Sequence, residues 1–168
     1  MLILTKDFLR YRQELISFYH EWKQSGEEFV PMNLGMVDPE INFQEFISYM
    51  YIDFGDDYPV SDIYICIDTS TSKMVGAVDI RSECVNHSEI FGDIGYGVRP
   101  SCRSLGIATQ MVGLALEMIS SYREYVYIAC VSDNLVSKHL IERLNSTLYN
   151  TYTMNGKTHL VYRIGLRD

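Results

Sequence analysis

Polar and apolar residues along the chain change period several times, and each change marks an element. Phe8, Leu15, Ile16, Tyr19 and Trp22 recur at helical spacing up to Lys23, which predicts an amphipathic helix with Thr5 or Asp7 as its N-cap. Residues 25–42 carry Gly26, Pro31, Gly35 and Pro39 and read as a loop, long enough to suggest a functional role; a short helix is expected over 43–52. From Asp62 the period becomes two. Ile63, Ile65 and Ile67 alternate with Tyr64 and Cys66, and Met74, Gly76, Val78 and Ile80 with Val75, Ala77 and Asp79, giving two strands joined by a turn over 68–73. A third strand is expected over 90–98. The stripe Ile107, Met111, Leu114, Ala115, Met118 and Ile119 then predicts a helix. A strand over 125–131, a helix over 134–144 and two strands near 147–154 and 158–164 complete the order, the last two joined by the hairpin dipeptide Asn155-Gly156. Hairpins near both ends around a central strand-helix-strand unit predict an α+β fold. Its central sheet should be mixed but mostly antiparallel, with about six to seven strands and about four flanking helices.

Composition narrows the class. At 168 residues and 47% hydrophobic content the chain can bury one core, so a single domain over 1–168 is expected. A formal net charge of −8 without a basic run argues against nucleic acid as a partner, because phosphate-backbone affinity needs clustered Lys and Arg. No apolar stretch approaches the roughly 20 residues that span a bilayer, and charges interrupt the N-terminal segment early. A cytoplasmic protein that does not bind membranes is expected. Cys66, Cys84, Cys102 and Cys130 lack any C-x-x-C spacing, and His20, His87, His139 and His159 lack ligand pairing on a shared helix, so neither a metal nor a disulfide is predicted.

The candidate chemistry lies between the third strand and the long helix. There Arg103, Gly106 and Ala108 form R-x-x-G-x-A, a turn whose backbone N–H groups precede a helix, where unpaired donors and the dipole favour an anion. The spacing fits neither a P-loop nor a dinucleotide fingerprint. Cys102 borders this turn without a base at a telling spacing and reads as an inert thiol.

The segment from Gly92 to Thr109 resembles the acetyl-CoA-binding motif of the GNAT N-acetyltransferases: strand, Q/R-x-x-G-x-G/A, helix. Asn134-Leu-Val-Ser137 after a strand resembles that family's pantetheine-lining segment. Gly76-Ala-Val-Asp-Ile-Arg81, Asp93-Ile-Gly-Tyr96 and the run from Asn134 to Glu142 are most similar to a group of predicted bacterial acetyltransferases with no defined substrate. The resemblance implies acetyl-CoA as cosubstrate and an amine as partner, by direct attack in a ternary complex; a homodimer is left open. It implies that the main chain of Arg103, Ser104, Leu105, Gly106, Ile107, Ala108 and Thr109 holds the pyrophosphate, with charge from Arg103 and Arg99. Tyr96, Gly97 and Val98 would pair with pantetheine, lined also by Asn134 and Ser137, and the Gly97 N–H would meet the thioester oxygen, where a donor stabilises the oxyanion.

Asp93 is the expected base. It lies about 16 Å of extended strand before Val98 and shares a face with Gly95 and Gly97, which would leave room for ligands. The alternative is a strand-end carboxylate that is merely solvated or pairs with a nearby Arg. Ile141 stands where the family usually carries the tyrosine that protonates the leaving thiolate. That leaves Tyr149, Ser137, water or no acid at all, and motivates a second reading, a non-catalytic acyl-CoA-binding regulatory module.

Overall fold

The computed structural model describes residues 1–53, 55, 59–82 and 85–166. In chain order these form β1 (Leu2–Thr5), α1 (Arg12–Ser25), a 3-10 turn (Met32–Gly35), α2 (Phe43–Ser48), β2 (Tyr51–Ile52), β3 (Ser61–Asp68), β4 (Lys73–Arg81) and α3 (Val85–Phe91). There follow β5 (Ile94–Val98), a 3-10 turn (Pro100–Cys102), α4 (Ile107–Ser120), β6 (Tyr125–Val131), α5 (Leu135–Glu142), β7 (Ser146–Met154) and β8 (Lys157–Gly165). The α+β class stands, but the sheet is divided. One sheet runs β1-β3-β4-β5 with β2 added to β3, the other runs β6-β8-β7, and every ladder among the described residues is antiparallel.

The first sheet separates two cores, which is why its strands alternate. Ile63, Ile65 and Ile67 of β3 face Leu15, Phe18 and Trp22 of α1 together with Phe43 and Phe46 of α2. Cys66 faces the other way, toward Met111, Ala115 and Ile119 of α4 and Val126 and Ile128 of β6. With both faces covered, β4 is buried along nearly its whole length.

Several boundaries depend on contacts that periodicity does not report. α1 begins at Arg12 rather than near Phe8, because Asp7 Oδ1 accepts the Arg10 N–H (3.2 Å) within a preceding turn and the N-cap Tyr11 makes no side-chain bond. The expected strand over 90–98 is split. Residues up to Phe91 close α3, Gly92 turns the chain at φ +77°, and the strand proper starts at Ile94. A seven-residue helix is marginal alone; here Arg81 donates to the Phe91 and Gly92 carbonyls (3.1 Å each) and the Tyr152 hydroxyl donates to the Ile90 carbonyl (2.8 Å). The closing hairpin forms as predicted, with Asn155 and Gly156 at φ +52° and +74°. Among the described residues no helix is long and apolar enough to cross a membrane.

Candidate active site

The first part of the site is the start of α4. Its N-cap is Gly106 at φ +74°, with no side-chain cap, and the first intrahelical bond runs from the Gln110 N–H to the Gly106 carbonyl (3.2 Å). The N–H groups of Ile107, Ala108 and Thr109 therefore lie ahead of the helical ladder, where an anion is the natural partner. Ser104 is also left-handed (φ +62°), so successive amides curl into a concavity. A Cβ built on Gly106 would meet nothing within 4 Å: the glycine opens onto unfilled space. This is a cradle that suits a pyrophosphate.

The second part is the gap between the two sheets. β5 and β6 do not form a ladder; they touch at one bridge, Gly92 with Ile128, and through the Asp93 N–H donating to the Tyr127 carbonyl (2.6 Å). Beyond that junction β5 is an edge strand, and its register decides which amides look outward. The Arg81 N–H donates to the Asp93 carbonyl (2.8 Å) and the Arg99 N–H to the Val75 carbonyl (2.9 Å). With Ala77 opposite Gly97 and Asp79 opposite Gly95, the hydrogen-bonded pairs include Gly97. Gly97 thus directs its N–H to β4, which corrects the expectation that it faces a thioester oxygen. Tyr96 and Val98 point their main chain into the gap instead, and the Val98 carbonyl accepts from Arg103 Nε (3.2 Å).

The glycine face of β5 is not bare either. A Cβ on Gly97 would strike the Val30 carbonyl and the Trp22 indole, and one on Gly95 would lie 2.9 Å from the Arg81 guanidinium. The segment after α1 lies over Gly97, held by Trp22 Nε1 donating to the Glu28 carbonyl (3.1 Å).

Asp93 is 2% exposed and fully engaged. Oδ1 accepts from the Ser88 hydroxyl and lies 3.4 Å from Arg123; Oδ2 accepts the Tyr127 N–H at 2.8 Å. This carboxylate is not open to an amine. It takes the main-chain donor of β6 where a neighbouring strand would otherwise stand, and so ties the two sheets together where they begin to part. Of the two readings open from sequence, pairing with an arginine is the one the structure shows.

Arg99 does not reach the cradle. It is buried against α1, with Glu21 at 2.6 Å, Glu14 at 3.3 Å and Ser17 at 2.7 Å. Burial pushes the Glu21 carboxyl up, but hydrogen bonds from Arg99 and Ser101 outweigh this and bring it down to about 2. Arg103 does border the cradle. It is held by a two-pronged pair with Glu27 (2.7 and 2.6 Å) and stacks over Trp22 at 5.5 Å. Glu27 carried no signal in the sequence, being one acid in a polar loop.

Asn134 caps α5 by accepting the Ser137 N–H (3.2 Å). The Ser137 hydroxyl lies 2.7 Å from that of Tyr96, so two of the expected cofactor residues meet across the gap. Cys102 is buried next to the cradle and 3.9 Å from Ser101 Oγ. A hollow of about 350 Å³ bounded by Asp62, Tyr64, Arg81, Tyr122 and Arg123 lies past the other end of α4, roughly 20 Å from the cradle at 1.5 Å per residue.

An uncapped helix N-terminus thus lies beside an edge strand whose main chain faces an open gap. The family model described as acetyltransferase (GNAT) domain matches residues 10–147, and the chain belongs to that family of acetyltransferases. Solved structures agree in fold. A GNAT-family acetyltransferase from Bacillus anthracis superposes with a TM-score of 0.68 at 13% identity, covering 98% of this chain and 95% of that one. The Microcin C7 self-immunity acetyltransferase MccE, in complex with acetyl-CoA and AMP, gives 0.65 at 20% identity, with 98% and 92% covered. Mutant forms of the spermidine/spermine N-acetyltransferase SpeG from Vibrio cholerae give 0.63 at 13% identity, with 99% and 94% covered. No curated protein matches the chain in sequence.

Proposed function

We propose that this chain transfers an acetyl group from acetyl-CoA to a primary amine held in the same complex. The observation that carries the reading is the uncapped start of α4, with the amides of Ile107, Ala108 and Thr109 ahead of the helical ladder beside the outward main chain of Tyr96 and Val98. Bound there, acetyl-CoA supplies an activated thioester. The amides from Arg103 to Thr109 hold the pyrophosphate, aided by the Arg103 charge. Tyr96 and Val98 align the pantetheine, Ser137 and Asn134 line its far side, and the outward N–H of Tyr96 or Val98 takes the place first given to Gly97 as donor to negative charge developing on the acyl oxygen. Asp93 fixes the strand junction that keeps the gap open. The net charge of −8 suits a cationic amine, which must lose a proton before it attacks. By their names, SpeG acts on polyamines; this chain shares that fold, which makes polyamines sensible members of a test panel.

The test is thiol release from acetyl-CoA with polyamines, small primary amines and peptide N-termini, alongside calorimetric binding of coenzyme A. Release with at least one amine is expected. A second reading, a regulatory module that binds acyl-CoA without turnover, is favoured by the full engagement of Asp93 and by the buried hydrocarbon of Ile141. Coenzyme A binding with no release from any amine would select it.

A further inference from the structure

Aminolysis of a thioester moves a proton as well as an acyl group: the nitrogen gives up a hydrogen and the departing sulfur gains one. On the acetyl-transfer reading above, the sulfur departs in the gap between β5 and β6, so a side chain that meets it has to reach that gap. Ile141 is fully buried hydrocarbon and offers nothing. Tyr149, on β7, has its hydroxyl on Glu89 (2.7 Å). Ser137 lies on the inner side of α5, and the group opposite it is Tyr96.

Tyr96 projects from β5 on the face it shares with Ile94 and Val98, toward the core that α4, α5 and β6 enclose. Its ring is packed there, while its hydroxyl crosses the gap to Ser137 at 2.7 Å. Ser137 is held in turn by Asn134, which accepts its N–H, so the far post of this bridge is fixed by the cap of α5. The bridge is a hydroxyl pair at the margin of the apolar cluster against which the Tyr96 ring packs. Burial pushes the Tyr96 phenol up, and only the bond to Ser137 opposes it, so the hydroxyl keeps its proton through the neutral range and serves as a donor.

We propose that Tyr96 receives the departing coenzyme A thiolate, its hydroxyl turning from Ser137 to donate a hydrogen bond to the sulfur as the C–S bond breaks. The amine lone pair forms the new N–C bond, the C–S electron pair leaves on sulfur, and the proton lost by nitrogen ends on sulfur as the thiol. Tyr96 remains protonated throughout. Its contribution is a charge-assisted hydrogen bond, and Ser137 positions it before the sulfur arrives.

The product, free coenzyme A, tests this without any acceptor. Its thiol is titrated when bound to the wild type and to Tyr96→Phe, following thiolate absorbance in the ultraviolet against each unliganded protein. In the wild type the bound thiol should ionise at lower pH than in Tyr96→Phe, with an acid dissociation constant at least about tenfold larger, the lower end expected for one hydrogen bond to a charged group. Ser137→Ala leaves the phenol in place without its holder, so the bound thiol should ionise between the wild type and Tyr96→Phe. If urea unfolding shows that Tyr96→Phe is not folded, 3-fluorotyrosine at position 96 replaces it; its more acidic hydroxyl should lower the bound thiol's ionisation further. Identical titration in the wild type and whichever Tyr96 variant is folded would overturn the assignment and leave cofactor binding intact. Failure of the wild type to bind coenzyme A would overturn the acetyl-transfer reading and this proposal with it.

Discussion

Replacing Asp93 by Asn separates a carboxylate that holds the fold from one that takes a proton. In the native protein this side chain faces the Ser88 hydroxyl, the Tyr127 N–H and the Arg123 guanidinium, and both Asp93 and Arg123 are buried. Asn is nearly isosteric and can still accept from Tyr127 through its one oxygen, but it leaves Arg123 buried without a countercharge. Removing one partner of a buried pair costs about 3–5 kcal/mol, a large share of the roughly 5–15 kcal/mol that a domain of this size holds in reserve. Urea unfolding of Asp93→Asn should therefore show a midpoint lowered in proportion, with the slope unchanged if the denatured ensemble is unaltered. Arg123→Met added to Asp93→Asn removes the stranded charge, so the double variant should be more stable than the sum of the single losses predicts. The reasoning is refuted if Asp93→Asn loses less than about 1 kcal/mol while abolishing turnover, for then the carboxylate acts on substrate and its partners are incidental.

Four further outcomes follow from the same contacts. Gly106→Asp places a carboxylate in the cradle at φ +74°; coenzyme A affinity by calorimetry should fall more than about tenfold, against a stability loss of only about 1–2 kcal/mol for a left-handed non-glycine residue. Glu27→Gln frees Arg103 from an exposed pair worth about 0.2–1 kcal/mol, so coenzyme A should bind up to about fivefold tighter, and an unchanged Kd would mean that Arg103 takes no part in binding. Gly97→Ala drives a methyl into the Val30 carbonyl and Trp22, and thermal unfolding should register about 1–3 kcal/mol of overpacking. The Glu21 carboxyl, brought from 4.5 to about 2 in the folded state, contributes stability that is complete above 4.5 and fades as pH falls toward 2. Its contribution to the slope is at most about 1.4 kcal/mol per pH unit, and Glu21→Gln should flatten that part of the pH–stability curve.

Much of this molecule is legible in its sequence for local reasons. The hydrophobic period identified α1, β3, β4, α4, β6 and α5, because the spacing at which side chains return to the same face is set by the backbone itself. Asn155-Gly156 specified a hairpin and Gly106 an uncapped helix start, because a left-handed φ is a property of the residue. Even the hydroxyl pair could be suspected in part, since Tyr96 and Ser137 both fell within the motifs.

What the tertiary structure alone decided depends on which partner arrives from far along the chain. α3 exists because Arg81 and Tyr152 satisfy its last carbonyls, and Tyr152 lies far outside any window around residues 85–91. The role of Asp93 turned on Arg123, Ser88 and Tyr127, that of Arg99 on Glu14 and Glu21, and the availability of Arg103 on Glu27. In each case an ionisable side chain has the same local sequence whether it is free or paired. Gly97 was misassigned as donor for a similar reason: period two fixes which face a side chain takes, but the direction of the N–H depends on the register against β4. The starting cradle was thus a property of the chain, and the gap beside it, with the side chains that guard it, is a property of the fold.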